Sequence, residues 1–549
     1  MQIDEKKIKE ILLRQNYISP ENLKRAEEFS REHHISIIDY LTSEGLINRN
    51  ILGQTLAESF SVPYVDLNTN QPHQEQVLKI SEALAKEKRV VLFREDEKSV
   101  VVATDNPTQK DLVQELGKIF PGKNVTLAYA MSEDIEQTFY NYRQSLEARF
   151  IKIIKDQKRI APSIIEEIIE DALATRASDI HFEPLELEVN VRFRVDGVLQ
   201  EVGRIPKDQY SNILNRIKVQ AHLRIDEHFA AQDGAIRYIK NGRVTDLRIS
   251  IVPTLDGEKV AIRVLAEYVR GFTLSDLGLS VTDQNIITES AKKPFGMILV
   301  TGPTGSGKTT TLYALIKILN KPEVHIMTIE DPVEYKIVGV NQIQVNRQTD
   351  LTFSKGLPSI LRQDPNIILV GEIRGPDTAE IAVNAALTGH LLLSTFHAND
   401  ASTAIPRLID MHVEPFLIAS TLELIVAQRL VRKICENCRS SVSVTKDDLA
   451  RISPNLLNYF PKDVTTLYKG KGCGACTMTG YRGRTAVFEF IQINQQIQDL
   501  ILHNPSSQQI FEVAKKRPGF HTLFEDGIEK VKSGLTTIEE LLRVVSSHS

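Results

Sequence analysis

Residues 302–309 have the types and spacing that bind phosphate. They read Gly-Pro-Thr-Gly-Ser-Gly-Lys-Thr and match the phosphate-loop pattern Gly-x4-Gly-Lys-Ser/Thr. Glycines allow backbone N–H groups to converge on phosphate oxygens, Lys308 would reach the β- and γ-phosphates, and the Thr309 hydroxyl would hold Mg²⁺. The predicted nucleotide-binding residues are Gly302, Pro303, Thr304, Gly305, Ser306, Gly307, Lys308, Thr309 and Thr310.

The residues on either side of this loop favour phosphate binding over a chance glycine-rich turn. An apolar run of the buried-strand type precedes it at 297–300, and 310–317 has the apolar spacing of a helix. A strand, a glycine loop and a helix together place the positive end of the helix dipole at the phosphate.

Acidic and polar side chains recur downstream where strands should end. Residues 325–329 lead to Glu334, residues 367–370 lead to Glu372, and residues 391–395 lead to His397. Carboxyl ends of parallel strands meet at one edge of a sheet, which is the ligand crevice of open α/β folds. We therefore expect Lys308, Glu334, Glu372 and His397 on one rim. Taken singly, each acid could be an ordinary surface charge. The histidine could be one whose ring nitrogens form hydrogen bonds within the fold and bind no ligand.

The cysteines form two Cys-x-x-Cys pairs: Cys435 with Cys438 and Cys473 with Cys476. The pairs are separated by 34 residues, and four thiolates at such spacing predict a closed, structural zinc site. The long separation implies a zinc-held subdomain, residues 431–485, that carries an insertion. The alternative is four thiols in an ordinary fold.

Composition limits the class of protein. The chain has 549 residues, of which 42% are hydrophobic and 25% charged, so several globular domains are expected. A net charge of −5 does not mark a bulk nucleic-acid binder. No run approaches the ~18 apolar residues of a membrane span, and the start lacks the apolar core of a signal peptide. These features predict a cytoplasmic protein that reaches a membrane through partners.

The chain divides into segments of different pattern. Residues 1–70 predict short helices in a weak repeat, and 71–145 predict a compact α/β unit with a hairpin between 89–93 and 99–103. Together, residues 1–145 form the predicted N-terminal domain. Charged residues 146–162 predict a helical linker, 163–270 a second α/β domain, and 271–549 the phosphate-loop domain.

Four arginines lie on predicted strands of the second α/β domain. Arg192 and Arg194 are two residues apart and so share a strand face, while Arg248 and Arg263 lie on later strands. Each could be a solvated edge charge. Because the guanidinium fork fits phosphate oxygens, the set also predicts phosphate contacts.

These motifs resemble the secretion ATPase superfamily of type II secretion and type IV pilus assembly. Residues 302–309 match its Walker A motif, 328–334 its Asp box, 367–372 its Walker B strand and 388–400 its His box. The likeness is good from residue 163 to the end and looser before it. It implies an α/β protein with a RecA-like P-loop ATPase core, preceded by a PAS-like α/β domain and an N-terminal helical plus α/β domain.

The resemblance also implies roles and ligands. Glu334 would activate the attacking water, Glu372 would hold the water shell of Mg²⁺ and His397 would sense the γ-phosphate. Arginines of the second α/β domain would reach a nucleotide, with Arg192, Arg194, Arg248 and Arg263 as the candidates, within a homohexamer that uses ATP and Mg²⁺. Family members that extend pili or secrete proteins often carry the tetracysteine Zn²⁺ element, which favours extension or secretion here.

The N-terminal region resembles a family domain that binds cyclic di-GMP in some members. Those members open each repeat with Arg-Leu-Gly and close it with Gln. Here Ser36, Ile37 and Ile38 stand at the opening, Ser59 stands at the closing position, and Asn16 stands where a glycine is expected. These differences argue against cyclic di-GMP and favour a docking module for an inner-membrane platform protein.

The sequence thus predicts a hexameric ATPase motor for pilin or pseudopilin assembly or protein secretion. A nucleic-acid translocase of the same superfamily is one alternative, disfavoured by the acidic balance and the lack of aromatic–basic clusters. A switch that binds nucleotide without productive turnover is another, disfavoured by the intact Lys308, Glu334 and Glu372.

Overall fold

The computed structural model gives an α/β protein. It describes residues 5–33, 36–43, 46–47, 49–67, 70, 72–142, 149–150, 153, 160–240, 243–265, 272–346, 348–473 and 476–545. The chain separates into two compact units, the first mainly residues 1–42 and 46–269 and the second mainly 270–472 and 479–549. Most of the predicted linker 146–162, and the predicted boundaries at 145 and 270, lie outside the described residues.

The first unit begins with two helix–turn–helix pairs, as the weak repeat predicts. Their helices are α1 Glu5–Arg14, α2 Pro20–His33, α3 Ile37–Ser43 and α4 Arg49–Ser59. Pro20 occupies the first position of α2, where its fixed φ suits the helix and its missing N–H costs nothing. Leu12, Leu41 and Ile47 are buried between the helices.

A small sheet with flanking helices follows in the first unit. Its elements are α5 Gln74–Val77, α6 Glu82–Lys88, β1 Val90–Glu95, β2 Ser99–Thr104, α7 Leu112–Ile119, β3 Asn124–Tyr129 and α8 Ser132–Thr138. Strands β1 and β2 pair antiparallel, which confirms the predicted hairpin, and β3 adds parallel to β2.

The same unit continues with a six-stranded antiparallel sheet in the order β6-β5-β4-β9-β8-β7. Its elements are α9 Ile160–Ala174, β4 Asp179–Pro184, β5 Glu188–Val195, β6 Val198–Pro206, α10 Lys207–Gln220, β7 Gln232–Lys240, β8 Arg243–Thr254 and β9 Gly257–Leu265. Asp196 and Gly197 both take positive φ at the turn between β5 and β6, as the predicted Asp-Gly hairpin requires. Helix α9 begins within the predicted linker.

The second unit is built on a seven-stranded sheet in the order β12-β11-β13-β14-β10-β15-β18. Its strands are β10 Gly296–Thr301, β11 Ile326–Glu330, β12 Asn341–Gln344, β13 Ile367–Ile373, β14 Leu391–Phe396, β15 Leu422–Ile434 and β18 Tyr481–Gln492. All neighbours pair parallel except β15 with β18. The central strands are nearly continuous apolar runs because helices cover both faces.

Helices on the two faces bury separate cores. They are α11 Val281–Ala291, α12 Lys308–Leu319, α13 Phe353–Ile360, α14 Pro376–Leu387, α15 Ala404–Asp410 and α16 Pro415–Thr421. Helix α12 packs Leu312 and Leu315 against Ile298 of β10, whereas Ala382 of α14 packs on the opposite face with Leu299. Alternate residues of β10 are therefore buried in opposite cores. This packing holds the strand in place, and the phosphate loop begins at its carboxyl end.

An insertion and a helical tail complete the second unit. Between β15 and β18 lie β16 Arg439–Thr445, α17 Lys446–Ile452 and β17 Val464–Gly470, and after β18 come α18 Gln495–Ile501, α19 Ser507–Lys515, α20 Leu523–Lys532 and α21 Ile538–Val544. Strands β16 and β17 form their own antiparallel pair. Among the residues described, no helix has the length and apolar character needed to cross a bilayer.

Candidate nucleotide site and metal centre

The phosphate loop connects β10 to α12, as predicted. Gly302 and Gly307 have φ of 149° and 87°, which other residues rarely adopt. A Cβ at Gly302 would lie 2.4 Å from the carbonyl oxygen of Gln428, and one at Gly307 would lie 2.8 Å from its Nε2. The loop is therefore pressed against β15 at positions that only glycine can fill.

Lys308 begins α12 and its ammonium is held by the loop itself. Its Nζ donates to the carbonyl oxygens of Gly302 and Pro303, at 2.9 and 3.0 Å. Burial lowers the pKa of Lys308 to about 8, and the nearby Glu372 carboxylate only partly opposes that change. A buried ammonium of this kind gains from an arriving anion. Thr309, the predicted Mg²⁺ ligand, is the next residue of α12 and is partly exposed.

The structure brings Glu372 and His397 together. The Glu372 Oε2 lies 3.4 Å from His397 Nε2 and 2.6 Å from Arg374 Nε. The sequence predicts Glu372 just after a strand, but β13 extends to Ile373, so Glu372 lies inside it. The register between β13 and β14 shifts between Val370 and Ile373, so Glu372 lies at the irregular part of the pairing.

Glu334 lies four residues beyond the end of β11, on the edge where the other parallel strands also end. It is exposed, and its backbone N–H donates to the Tyr313 hydroxyl at 3.4 Å. Its carboxylate is therefore open to water. Lys308, Glu334, Glu372 and His397 all follow or occupy the carboxyl ends of neighbouring strands, as expected for one rim.

A buried network beneath Glu334 was not predicted. The Glu330 carboxylate accepts hydrogen bonds from the hydroxyls of Tyr313 and Thr328 and from Nε2 of Gln342. Burial raises the pKa of Glu330, while these three donors lower it. Through Tyr313 the network reaches the backbone of Glu334. Glu330 belongs to the acidic run 330–334, and the sequence of that run does not indicate which of its acids is buried and which is exposed.

A second buried carboxylate, Glu489 of β18, holds the segment after His397. It accepts from the N–H of Ala401 at 3.0 Å and from the N–H of Leu523, at the start of α20, at 3.4 Å. Burial is the main cause that raises the pKa of Glu489 to about 7, and the charge of Asp400 adds to it. Glu489 thus joins the C-terminal helices to the predicted γ-phosphate sensor loop.

Glu489→Gln is expected to make stability less sensitive to pH. Because the folded-state pKa exceeds the usual 4.5, folding retains a proton that the unfolded chain loses. The contribution of Glu489 to the free energy of unfolding is fully present below pH ~4.5. It is lost as the pH rises to ~7, and the loss is on the order of 3 kcal/mol. The melting temperature of Glu489→Gln relative to the parent should therefore be higher at pH 8 than at pH 5. Exposed Glu512→Gln is the control, and an equal difference at both pH values would contradict the prediction.

The phosphate loop has further polar neighbours on β15 that sequence reasoning missed. In the part of the chain that the structure describes, three buried polar atoms beside the loop lack hydrogen-bond partners: Ser306 Oγ, Gln428 Nε2 and Arg429 Nη1. The Thr311 hydroxyl donates to Gln428 Oε1 at 2.7 Å and so fixes that amide. All three can donate hydrogen bonds, and with Lys308 they suit an anionic polyphosphate. Gln428 and Arg429 directly follow the apolar run 424–427. A polar residue just after an apolar strand is the same pattern that predicts Glu334 and Glu372 as site residues.

The four predicted arginines lie in the six-stranded sheet of the first unit. Arg194, Arg263 and Arg248 form one row, because Asp179 pairs with Arg194 and Arg263, and Arg263 pairs with Arg248. The Nε atoms of Arg194 and Arg263 lie 3.4 and 3.5 Å from Asp179. Arg192 shares the face of Arg194, as predicted.

Arg192 is held more firmly than the row beside it. Its Nη2 donates to Oε1 of Glu183 at 2.6 Å, and Lys259 binds the same carboxylate at 2.8 Å. The face therefore concentrates positive charge around the carboxylates of Asp179 and Glu183. Phosphate binding by these arginines stays a prediction.

The four cysteines form one cluster. The sulfurs of Cys435, Cys438, Cys473 and Cys476 all lie within 4.8 Å of one another. The Cys473 and Cys476 sulfurs are 3.7 Å apart, close to the separation set by tetrahedral Zn–S bonds of about 2.3 Å. The backbone N–H of Cys473 also points to the Cys476 sulfur at 3.2 Å, which favours a thiolate. The cluster therefore fits Zn²⁺, and the β16–α17–β17 segment is the insertion that the cysteine spacing predicts.

Cys435→Ser is expected to remove most of the metal from this cluster. A hydroxyl replaces one of four thiolates, and zinc affinity in such sites depends on the full ligand set. Zinc per chain, measured by plasma mass spectrometry, should fall from about one toward zero, with a lower melting temperature. Ser441→Ala on β16 is the matched control, and full zinc content in Cys435→Ser would exclude the four-cysteine site.

Comparisons with known proteins agree with this geometry. A family model described as "Type II/IV secretion system protein" matches residues 154–543, and one described as "MshEN domain" matches residues 60–149. Type II secretion system protein E of Pseudomonas aeruginosa is 45% identical over 393 residues, 71% of this chain and 77% of the relative. Type IV pilus assembly ATPase PilB of Myxococcus xanthus is 36% identical over 559 aligned residues, 97% of this chain and 98% of the relative.

A solved structure shares the fold. The ATPase DotB of Legionella pneumophila superposes with a TM-score of 0.52 at 20% identity, and the match covers 71% of this chain and 97% of DotB. The predicted fold class, an α/β protein with a P-loop ATPase core and an N-terminal domain, is thereby confirmed. The chain belongs to the type II secretion and type IV pilus assembly ATPase family.

Proposed function

We propose that this protein is a motor that hydrolyses ATP to power pilin or pseudopilin assembly, or protein secretion. One observation carries the proposal: neighbouring parallel strands supply a phosphate-loop lysine, the Glu372–His397 pair and the exposed Glu334 to one edge. Phosphoryl transfer needs positioned charges and an oriented water rather than a covalent nucleophile. The edge supplies the charged side chains, and the exposed Glu334 supplies a carboxylate that can orient a water.

Each group has a proposed role. Glu334 orients and activates the attacking water, for which its solvent-open carboxylate is suited. Glu372 would hold the water shell of Mg²⁺, and the Thr309 hydroxyl would bind the metal itself. His397 senses the γ-phosphate, and its 3.4 Å approach to Glu372 links that sensor to the metal-binding side.

We further propose that the motor is a homohexamer in which arginines of the first unit contribute to nucleotide sites. Arg192, Arg194, Arg248 and Arg263 lie in one sheet, where Arg194, Arg263 and Arg248 form a row across neighbouring strands. Several guanidinium groups on one face suit the binding of an anion. The working division of the chain is residues 1–145, 163–270 and 271–549, with the zinc subdomain at 431–485.

The partner we propose is an inner-membrane platform protein, approached from the cytoplasm. Family membership supports this, because the relatives are named for type II secretion and type IV pilus assembly. Residues 1–145 serve as the docking module. The substitutions at Ser36, Ile37, Ile38 and Ser59 argue that this module acts without cyclic di-GMP.

Phosphate release by the purified full chain tests the proposed reaction. Mg²⁺-dependent ATP hydrolysis is expected, with no stimulation by added DNA or RNA. Nucleic-acid binding that weakens steeply with salt, together with stimulated turnover, would favour the translocase. Tight ATP binding without phosphate release would favour the switch.

A further inference from the structure

Arg429 is a cation beside the phosphate loop, and its guanidinium forms no ion pair with a carboxylate in the part of the chain that the structure describes. Strand β15 runs parallel to β10, with Ala427 opposite Thr301, so Arg429 lies alongside the start of the loop. A Cβ built on Gly302 would lie 3.4 Å from Arg429 Nη1, which places the guanidinium against the loop backbone. Within the described residues, no carboxylate forms an ion pair with it.

Of the two terminal nitrogens of the guanidinium, one forms a hydrogen bond to a described residue. Its Nη2 donates to the carbonyl oxygen of Asn399 at 2.7 Å, two residues after His397. Its Nη1 is buried and has no hydrogen-bond partner among the residues described. A buried donor without an acceptor costs free energy, and that cost is larger for a charged group. An acceptor that joins the site would remove it.

The charges around Arg429 favour an anion as that acceptor. Burial lowers the pKa of Arg429, with partial opposition from Asp400 and Glu489. Arg429 in turn helps lower the pKa of Lys308, so the two cations repel each other across the loop. Oxygens of a phosphate group would pair with both.

A second arginine of the same strand shows the contrast. The Arg432 guanidinium donates through Nε and Nη2 to Oε2 of buried Glu540, and it stacks on Tyr481 at 4.1 Å. The backbone N–H of Arg432 donates to the other carboxylate oxygen. That guanidinium is satisfied within the fold and needs no ligand. Arg429 is left open where the loop would hold an anion.

We infer that Arg429 is a ligand of the nucleotide phosphates, contributed by the same chain as Lys308. Its Nη1 would donate to a phosphate oxygen while Nη2 keeps its bond to Asn399. The guanidinium thereby connects the bound phosphate to the segment that carries His397. The inference rests on the proposed ATP-hydrolysing function.

The test compares nucleotide affinity and thermal stability in Arg429→Gln, Arg429→Lys and Lys308→Ala. Gln removes the charge and keeps a neutral amide donor, and Lys keeps the charge without the fork. We expect ADP and ATP to bind roughly 10- to 100-fold more weakly to Arg429→Gln, with a smaller loss in Arg429→Lys. The melting temperature without nucleotide should be unchanged or higher, and the rise caused by nucleotide should shrink.

Two other outcomes would overturn the inference. One is parental affinity in Arg429→Gln while Lys308→Ala loses binding. The other is a lower melting temperature with a full nucleotide-induced rise, which would make Arg429 a structural bridge. If Lys308→Ala also binds ATP normally, the phosphate-loop assignment itself fails. Exposed Arg451→Ala, on α17, controls for loss of positive charge.

Discussion

Lys308→Ala is expected to weaken ATP binding by at least about thirtyfold. Truncating one member of a buried, hydrogen-bonded charge pair costs about 2–5 kcal/mol, and each 1.4 kcal/mol is tenfold in affinity. Lys308 is buried within the loop, and among the described residues its ammonium bonds only to the carbonyl oxygens of Gly302 and Pro303, so a phosphate is the partner that would use its charge. Titration calorimetry with ATP and ADP measures the loss.

The same substitution should leave the fold intact. Burial disfavours the charged form of Lys308, as its lowered pKa shows, so alanine removes a desolvation cost along with two hydrogen bonds. Without nucleotide, the melting temperature should stay near that of the parent. Lys321→Ala, at an exposed position after α12, is the control. ATP binding by Lys308→Ala at parental affinity would contradict the phosphate-loop assignment.

Glu334→Gln is expected to slow ATP hydrolysis by roughly 10²–10⁴-fold, the range of general-base contributions. Gln preserves the size of the side chain and the backbone N–H that donates to Tyr313, so the segment should keep its position. The amide cannot take a proton from water. Nucleotide affinity should therefore hardly change while phosphate release nearly stops.

The comparison needs both binding and turnover on the same samples. Glu323→Gln, an exposed glutamate before β11, controls for loss of a nearby charge. Parental turnover in Glu334→Gln would move the general base to another carboxylate, and Glu372 on the neighbouring strand β13 is the next candidate on the rim. Loss of binding together with turnover would instead assign Glu334 to nucleotide binding.

Local patterns were sufficient to predict the site's main parts. The phosphate loop, the strands that lead to Glu334 and His397, and the cysteine pairs are each encoded within short segments whose residue types dictate their conformation. The rule that the carboxyl ends of parallel strands meet at one edge then places the phosphate loop beside Glu334 and His397. The Asp-Gly turn and the β1–β2 hairpin were predicted in the same way.

The remaining features depend on contacts between distant segments. Arg429 is important because β15 lies beside β10, and sheet order is not encoded in either strand alone. The row of Arg194, Arg263 and Arg248 around Asp179 needs the registers of three strand pairs. Burial of Glu330 and Glu489 follows from packing, so their raised pKa values could not be read from neighbours in sequence.

The central claim is a ring motor with shared sites, and ATPase rate against protein concentration tests it most directly. Mass photometry on the same samples would report the oligomers, with Glu334→Gln as the inactive control. The account predicts a rate per subunit that rises as hexamers form and is lost in the variant. A constant rate from a monomer would contradict it, because the arginines of the first unit would then act within one chain or not at all.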